Sequence, residues 1–343
     1  MGVLFYTSAH GLGHAVRTME VARALSAMGI QSTVKGTAPG WLLRMYGLDG
    51  RALKGDGGVA QKGLDIDMKA TLEELASFRA STEGLIAREV ASGGGIDLVV
   101  GDMPPLAFEV SSRLEVPGIA LGNFSWDWVY ASYALRHPAF HTHAQEAAEA
   151  YRKADLLLRL PFSCPMEAFR RVEDIPLIVG RPTLGRGEVM RRLGVKPGKK
   201  IILISFGPGV EVGYGSLERL PYLFLVMGLE EGRGNVIGVA RDFLPHWELV
   251  NACDAVVTKP GYGIAAECVS LGKPLLYASR DFPEEGAILS EALRYIPVIQ
   301  IPRPELAAGS LGPYLEEALI GRVRPGPPTD GAERAAELIR KFL

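Results

Sequence analysis

The sequence predicts an α/β protein made of two doubly wound parallel-sheet domains that face a cleft. Short apolar runs alternate with helical patterns from residue 3 onward, which is typical of strands joined by crossover helices. The same alternation begins again at residues 201–205, after a proline- and glycine-rich stretch over 161–187. The length of 343 residues also suits two domains of about 150 residues each.

In the N-terminal half of the chain, the period and length of each apolar pattern predict whether it forms a strand or a helix. Short apolar runs predict buried parallel strands at 3–6, 31–34, 97–100 and 118–121. Apolar residues at helical spacing predict helices over 15–28, 68–91 and 106–114. We place an N-terminal domain at 1–165 and a linker at 166–190, where proline and glycine accumulate.

The second half repeats the pattern in a domain placed at 191–325. Its strands are predicted at 201–205, 222–227, 236–239, 255–258 and 274–277. A proline- and glycine-rich run over 325–328 then interrupts the chain. The C-terminal segment, 326–343, contains a predicted amphipathic helix whose pattern allows it to pack on either half.

The composition is that of a globular protein, with 48% hydrophobic and 22% charged residues. The 37 Lys and Arg residues balance 39 Asp and Glu residues, so neither nucleic acid nor a membrane surface is an expected partner. Three cysteines are too few for a disulfide framework or a four-cysteine zinc site. No apolar run reaches the roughly 18 residues of a membrane span, and we expect a cytoplasmic protein without a metal site.

A glycine loop follows the first predicted strand and ends in Gly11-Leu12-Gly13-His14. Glycines here let backbone N–H groups and a helix N-terminus approach a ligand closely. Val16 occupies the third glycine position of a dinucleotide fingerprint, which disfavours a nicotinamide or flavin site. The phosphate-binding loop of nucleotide triphosphatases is absent from the sequence as well.

His14 is a candidate general base, because histidine can accept a proton from a hydroxyl near neutral pH. Asp102 follows the strand predicted at 97–100 and should lie at the same edge of the sheet. A carboxylate bonded to the imidazole would select the tautomer and stabilise the imidazolium. Alternatively, His14 or His10 caps the first helix or satisfies a buried backbone group, and Asp102 caps the helix that follows it.

A second group of candidate residues lies in a strand–turn–helix segment over 254–274. Gly261 and Gly263 would expose N–H groups to a diphosphate at a helix N-terminus, and Lys259 would add positive charge. Glu267 would accept hydrogen bonds from both hydroxyls of a ribose. Taken singly, the glycines equally fit a tight turn, and Glu267 an exposed helical residue.

Together these motifs resemble those of the GT-B glycosyltransferases, which include UDP-sugar transferases, over both halves of the chain. The resemblance implies two Rossmann-like domains, with His14 as the catalytic base, Asp102 as its partner and His10 on the acceptor side. Lys259 stands where many members have a phosphate-binding histidine. The donor-binding residues that the resemblance implies are Gly13, Gly207, Lys259, Gly261, Tyr262, Gly263 and Glu267.

The chain also resembles the glycosyltransferase-like N-terminal half of plant L-arabinokinases, at 10–17, 124–127, 160–169 and 259–267. Nothing in it resembles their sugar-kinase domain, so no kinase activity is implied. Two departures concern the donor site. Ile264 stands where many relatives have a phosphate-bonding Ser or Thr, and the segment 281–285 only loosely resembles a sugar-binding pair, with Glu284 as the candidate ligand.

Aromatic residues complete the predicted acceptor side. Trp126 and Asp127 follow the strand at 118–121 and are predicted to line the cleft, whereas Trp128 is interpreted as core.

On the donor side, Phe243 and Leu244 precede a helix where relatives hold the nucleobase, and we predict that they contact it. His246 is interpreted as a packing residue of the domain interface.

The resemblance to the GT-B glycosyltransferases implies an inverting, hexosyltransferase-like enzyme. It is expected to move a sugar from a nucleoside-diphosphate sugar, expected to carry UDP, to a hydroxyl of a small-molecule or glycan acceptor. Cationic and N–H groups would stabilise the leaving diphosphate, so neither a metal nor a cofactor is expected. Two alternatives are a non-catalytic nucleotide-sugar-binding module and a nucleotide-sugar hydrolase or epimerase.

Overall fold

The computed structural model describes residues 2–9, 11–196, 198–280 and 282–343. The chain forms two compact units. Unit 1 takes in the chain up to Ala60, together with Asp67–Ile178 and Pro328–Leu343. Unit 2 comprises Gln61–Ile66 and Val179–Pro327. The chain therefore passes between the units more often than the sequence suggested.

Unit 1 is built on a parallel sheet with the strand order β3-β2-β1-β6-β7-β8-β9. The strands of the N-terminal part of the chain are β1 (Gly2–Thr7), β2 (Gln31–Gly36), β3 (Gly50–Ala52), β4 (Gln61–Lys62), β5 (Asp65–Ile66), β6 (Leu98–Asp102), β7 (Gly118–Gly122), β8 (Leu156–Arg159) and β9 (Val172–Asp174). Of these, β4 and β5 pair with each other as an antiparallel hairpin that belongs to unit 2.

The strand order of unit 1 reverses between β1 and β6. The chain runs outward from β1 to β3 and then returns to β6 on the other side of β1, so the loops that follow β1 and β6 leave in opposite directions. Such a reversal opens a crevice at the carboxyl ends of the two strands, where open α/β sheets bind ligands. Thr7 pairs with Asp102 at these ends.

Helices cover the sheet because its central strands are apolar on both faces. They are α1 (Leu12–Ala27), α2 (Gly40–Tyr46), α3 (Met68–Ala91), α4 (Leu106–Leu114), α5 (Trp126–Ala134) and α6 (Phe140–Tyr151). Helix α3 occupies the predicted range, and its start is set by Asp67, whose side chain accepts a hydrogen bond of 2.9 Å from Ala70 N.

Unit 2 repeats the plan with the strand order β12-β11-β10-β13-β14-β15, all parallel. Its strands are β10 (Ile201–Ser205), β11 (Leu223–Met227), β12 (Val236–Val239), β13 (Ala255–Thr258), β14 (Leu275–Tyr277) and β15 (Val298–Gln300). Its helices are α7 (Arg186–Arg192), α8 (Tyr214–Leu217), α9 (His246–Ala252), α10 (Tyr262–Ser270), α11 (Glu285–Ala292), α12 (Arg303–Ala308) and α13 (Gly312–Ile320). The order reverses between β10 and β13, where Ser205 pairs with Thr258.

The predicted linker at 166–190 contains the division between the units, after Ile178, but it also contributes to both. Strand β9 joins the sheet of unit 1, and α7 packs on α9 in unit 2. The last helix, α14 (Gly331–Arg340), belongs to unit 1, where it packs against α1. Among the described residues, no helix combines the length and apolar character that crossing a membrane requires.

The packing of α14 yields a stability prediction. Ala335 is fully buried, so Ala335→Glu would place a carboxylate in an apolar contact and destabilise the protein by about 3 kcal/mol or more. Glu337→Gln, at an exposed position of the same helix, should change stability by less than about 0.5 kcal/mol. Urea unfolding measures both. Equal stabilities would show that α14 contributes nothing to unit 1.

Candidate active site

His14 and Asp102 meet at the reversal point of unit 1. His14 lies in the first turn of α1, Asp102 ends β6, and the Nδ1 and Oδ1 atoms are 2.7 Å apart. Asp102 is completely buried and His14 nearly so, with its ring edge-on to Phe124. The contact predicted from the sequence is therefore present.

Arg17, one helical turn after His14, holds the other side of the Asp102 carboxylate. Its Nε donates to Oδ2 at 2.6 Å and its Nη2 to Oδ1 at 2.5 Å, a bidentate ion pair. Nη1 also donates to Asn123 Oδ1 at 2.8 Å. Burial by itself raises the pKa of Asp102, but Arg17 and His14 outweigh it and hold that pKa below its usual value. Sequence reasoning missed Arg17, although its spacing of three residues from His14 placed both on one helix face.

Arg17 and Asp102 favour opposite tautomers of His14. With a proton on Nδ1, the imidazole donates to Asp102 and leaves Nε2 unprotonated, as a general base requires. With the proton on Nε2, Arg17 Nη2, 2.9 Å from Nδ1, donates to that nitrogen instead. This site therefore differs from a simple histidine–aspartate dyad, because a fixed positive charge shares the carboxylate.

A second buried carboxylate, Asp56, lies in the glycine-rich segment that follows β3. Its Oδ2 accepts a hydrogen bond of 3.1 Å from Trp126 Nε1. Burial raises the pKa of Asp56, while nearby Ser8 and His14 act in the opposite direction. Asp56 therefore belongs to the surroundings of His14. The sequence signal for it was an acidic residue flanked by glycines, which the sequence analysis did not use.

The structure reverses the interpretation of the two tryptophans. Trp126 is completely buried and stacks on Tyr130, so it belongs to the interior of unit 1 rather than to an exposed acceptor surface. Trp128, predicted as core, is only partly buried. The physical reason is that α5 begins at Trp126 and turns its first residue inward, toward Asp56. Asp127 is partly buried, and burial raises its pKa.

The alternative that Asp102 caps the following helix is wrong. Helix α4 begins at Leu106 without a side-chain cap, and the Asp102 carboxylate faces Arg17. The next residue, Met103, has a φ of 70°, an uncommon conformation for a residue with a side chain. Gly13 is exposed in the first turn of α1, and the predicted acceptor residue His10 lies outside the described residues.

In unit 2, α10 presents its N-terminus at the corresponding reversal point. Gly261 is the N-cap, and no described side chain caps the helix. A helix N-terminus of this kind is suited to binding an anion. Tyr262 is buried, whereas Gly263 and Ile264 are partly buried. The helix N-terminus predicted from Gly261 and Gly263 is therefore present, and it is formed by the backbone independently of the side chain at position 264.

Lys259 follows β13, and its ammonium group lies among other charges. Burial, together with the guanidinium groups of Arg280 and Arg241, lowers the pKa of Lys259 to about 8, although Glu284 and Glu285 oppose this effect. A bound anion would stabilise the charged form of this lysine, because its negative charge would oppose the effect of burial and the repulsion from the neighbouring cations.

Arg280 ties the loop before α10 to the start of α11. Its Nη2 donates to the Pro260 carbonyl oxygen at 2.7 Å, and its Nε donates to Glu285 Oε1 at 2.8 Å. Glu284, the candidate sugar ligand, is buried with Oε1 3.4 Å from Arg280 Nη2. Its carboxylate therefore already takes part in an ion pair. Asp281 lies outside the described residues.

The predicted ribose ligand, Glu267, is held by His246, which was predicted to pack at the domain interface. His246 Nδ1 lies 2.6 Å from Glu267 Oε2, and His246 Nε2 lies 3.0 Å from Ser205 Oγ. The interpretation of His246 as an interface packing residue is therefore wrong. The first turn of α9 and the middle of α10 face each other across the end of β10, which sequence spacing alone does not reveal.

The remaining donor-side residues differ in exposure. Phe243 is 40% exposed, whereas Leu244 is 6% exposed, so Phe243 offers the more open surface to a base. Gly207 follows β10, and a Cβ atom at that position would lie 4.0 Å from Lys259 Nζ. Across the part of the chain that the structure describes, no cluster of His, Cys, Asp and Glu side chains is arranged to hold a metal ion.

No protein-family model matches this sequence. The L-arabinokinase of Arabidopsis thaliana is 31% identical over 354 aligned positions, which cover 98% of this chain and 34% of that protein. This chain thus spans about a third of the length of that relative.

Solved structures of glycosyltransferases are similar across the whole chain. The glycotransferase of kitacinnamycin has a TM-score of 0.63 at 16% identity, with 100% and 99% of the two chains covered. The UDP-glucosyltransferase of Polygonum tinctorium capable of glucosylating indoxyl has a TM-score of 0.61 at 14% identity, covering 99% and 92%. The glycosyltransferase VinC in complex with dTDP has a TM-score of 0.60 at 16% identity, covering 100% and 95%. The predicted GT-B fold and the resemblance to L-arabinokinase are confirmed.

The Arg17–Asp102 pair yields a prediction for unfolding. Arg17→Met leaves a buried carboxylate without its guanidinium and should lower the free energy of unfolding by about 3 to 5 kcal/mol. The double variant Arg17→Met, Asp102→Leu removes both charges and should recover about half of that loss or more. Urea unfolding of the wild type, both single variants and the double variant measures the coupling. Strict additivity would show that the pair is not energetically linked.

Proposed function

We propose that this chain, which has the GT-B fold and resembles part of a plant L-arabinokinase, is a glycosyltransferase that moves a sugar from a nucleoside-diphosphate sugar to a hydroxyl group. The expected nucleotide is UDP. The observation that carries the proposal is the 2.7 Å contact between His14 Nδ1 and Asp102 Oδ1 at the reversal point of unit 1. A module that only bound a nucleotide would not require an oriented base in that unit.

The donor is proposed to bind unit 2. Its diphosphate would accept hydrogen bonds from the first-turn N–H groups of α10 and an ion pair from Lys259. Its ribose would donate to Glu267, for which Oε1 is the oxygen not engaged by His246. The cationic and N–H groups would also stabilise the charge on the leaving diphosphate, which is the basis for proposing a reaction without a metal or cofactor.

The acceptor is proposed to bind unit 1 with its hydroxyl at His14 Nε2. That nitrogen takes the hydroxyl proton as the oxygen attacks the anomeric carbon. The bond from that carbon to the diphosphate breaks, and its electron pair leaves on the diphosphate oxygen. A single displacement of this kind inverts the anomeric configuration. Asp102 stabilises the imidazolium, while Arg17 keeps the carboxylate ionised in its buried position.

The kinase activity in the name of the Arabidopsis relative is not proposed for this chain, which spans only 34% of that protein. Nucleotide-sugars tested for binding by calorimetry and then incubated with a panel of hydroxyl acceptors distinguish the remaining possibilities. A glycoside product supports the proposal. Free sugar alone indicates a hydrolase, an isomerised sugar indicates an epimerase, and binding without turnover indicates a non-catalytic module. Failure of every nucleotide and nucleotide-sugar to bind would overturn the donor assignment.

His14 should be required for transfer but not for donor binding. His14→Ala should lower the transfer rate by about 100-fold or more, because the proton acceptor is lost, with donor affinity unchanged within about twofold. His141→Ala, at an exposed position in α6, is the matched control and should behave as wild type. Rate and calorimetric affinity are measured on each variant. An active His14→Ala enzyme would remove His14 from catalysis.

Donor affinity should fall with rising pH because of Lys259. Its pKa of about 8 means that the ammonium is progressively lost as the pH rises through 8, so UDP affinity should decrease by up to roughly tenfold per pH unit above 8. Lys259→Arg keeps the charge and should remove this decrease. Calorimetry between about pH 7 and 9.5 compares the two. Parallel curves would mean that Lys259 does not contact the diphosphate.

A further inference from the structure

We propose that Gln61, in the hairpin formed by β4 and β5 (residues 61–66), is a positioning residue for Lys259 in the proposed donor site of unit 2. The inference rests on the proposed function, since the ligand concerned is the nucleoside diphosphate. The hairpin comes from the N-terminal part of the sequence, yet its residues belong to unit 2. No motif in the sequence marks it.

The hairpin is fixed to the loop that follows β10. Leu64 is buried in the core cluster of unit 2 together with Phe206. Gly63, with a φ of 59°, lies against Gly209, and a Cβ atom at Gly63 would stand 2.5 Å from the Gly209 carbonyl oxygen. Glycine is needed here for both the left-handed backbone and the close approach. The hairpin therefore packs directly on the loop that contains Gly207.

Arg303 fixes the other side of the hairpin to the same region. Its Nη1 donates to the Asp65 carboxylate, and its Nη2 donates to the Leu64 carbonyl oxygen at 3.1 Å and to the Ser279 carbonyl oxygen at 2.9 Å. Ser279 immediately precedes Arg280, which holds the Pro260 carbonyl oxygen at the start of the α10 turn. One network of contacts thus joins the hairpin to the proposed phosphate-binding turn.

Gln61 points its amide oxygen at the lysine of that turn. Its Nε2 donates to the Gly63 carbonyl oxygen at 2.7 Å, which sets the orientation of the amide. Its Oε1 accepts a hydrogen bond of 3.5 Å from Lys259 Nζ. An ammonium group has three N–H donors, so the bond to Gln61 leaves two for phosphate oxygens.

The chemistry of an amide suits this position better than that of a carboxylate. Arg280 and Arg241 repel the Lys259 ammonium, and burial further disfavours its charge. A neutral acceptor restrains the lysine while leaving its charge for the ligand, whereas a carboxylate would form an ion pair and compete with the diphosphate. Restraining the lysine before binding also reduces the side-chain entropy lost when the ligand arrives.

The test compares UDP and inorganic pyrophosphate binding by calorimetry in four proteins. Gln61→Glu should weaken both ligands by about tenfold or more, and Gln61→Ala by about threefold to tenfold, because the first neutralises Lys259 and the second only releases it. Lys62→Gln is the matched control: it lowers the net charge by one, as Gln61→Glu does, at an exposed position of the same hairpin, and should change affinity less than about twofold.

A Lys259→Gln background separates positioning from a general structural effect. There, adding Gln61→Glu should change the affinity for either ligand by less than about twofold, because the group being positioned is gone. An equal loss in both backgrounds, or full affinity in Gln61→Glu alone, would overturn the inference while leaving the proposed function intact. If the wild type binds neither ligand, the donor assignment itself fails. Thermal unfolding of each variant confirms that it is folded.

Discussion

The buried ion pair between Arg17 and Asp102 is the constraint on which the site in unit 1 depends. A carboxylate with no exposure to water must have its charge compensated, and Arg17 does so with two short hydrogen bonds. The same guanidinium reaches Asn123 beyond β7. Helix α1, the end of β6 and the segment after β7 are thereby joined at the Asp102 carboxylate. The position of the His14 ring, which bonds to this carboxylate, depends on where Arg17 holds it.

This arrangement also modifies the chemistry expected of a histidine beside an aspartate. In a simple dyad the carboxylate serves the imidazole alone, whereas here it is shared with a permanent cation. Arg17 therefore has two opposed effects. It keeps Asp102 ionised, which the imidazolium needs, and it competes with Asp102 for the Nδ1 edge of the ring. Met103, directly after Asp102, has a left-handed backbone conformation that is strained for a residue with a side chain.

In unit 2, buried charged side chains are likewise held by bonded partners. Glu267 is paired with His246, and Arg280 is paired with Glu285 while it holds the Pro260 carbonyl oxygen. Lys259, which is partly buried, is the cation of this region whose pKa is lowered to about 8. A buried charged side chain that is bonded to a partner is held in place. A cation whose charge is poorly compensated by its neighbours gains most from an anionic ligand.

The sequence by itself determined the fold class, most of the strands, several of the helices, and the two sheet edges at which the candidate site residues lie. Helix α3 and strands β10, β12 and β13 occupy their predicted ranges, because apolar periodicity reflects which face of an element is buried. His14, Asp102 and Gly261 could be located because strand ends and turns have local signals. Asp56, His246 and Gln61 are brought to these sites only by tertiary packing. Which of Trp126 and Trp128 is buried depends on the angle at which α5 starts. Such contacts join residues far apart in the sequence, and no local pattern encodes the direction in which a side chain meets a partner from another element.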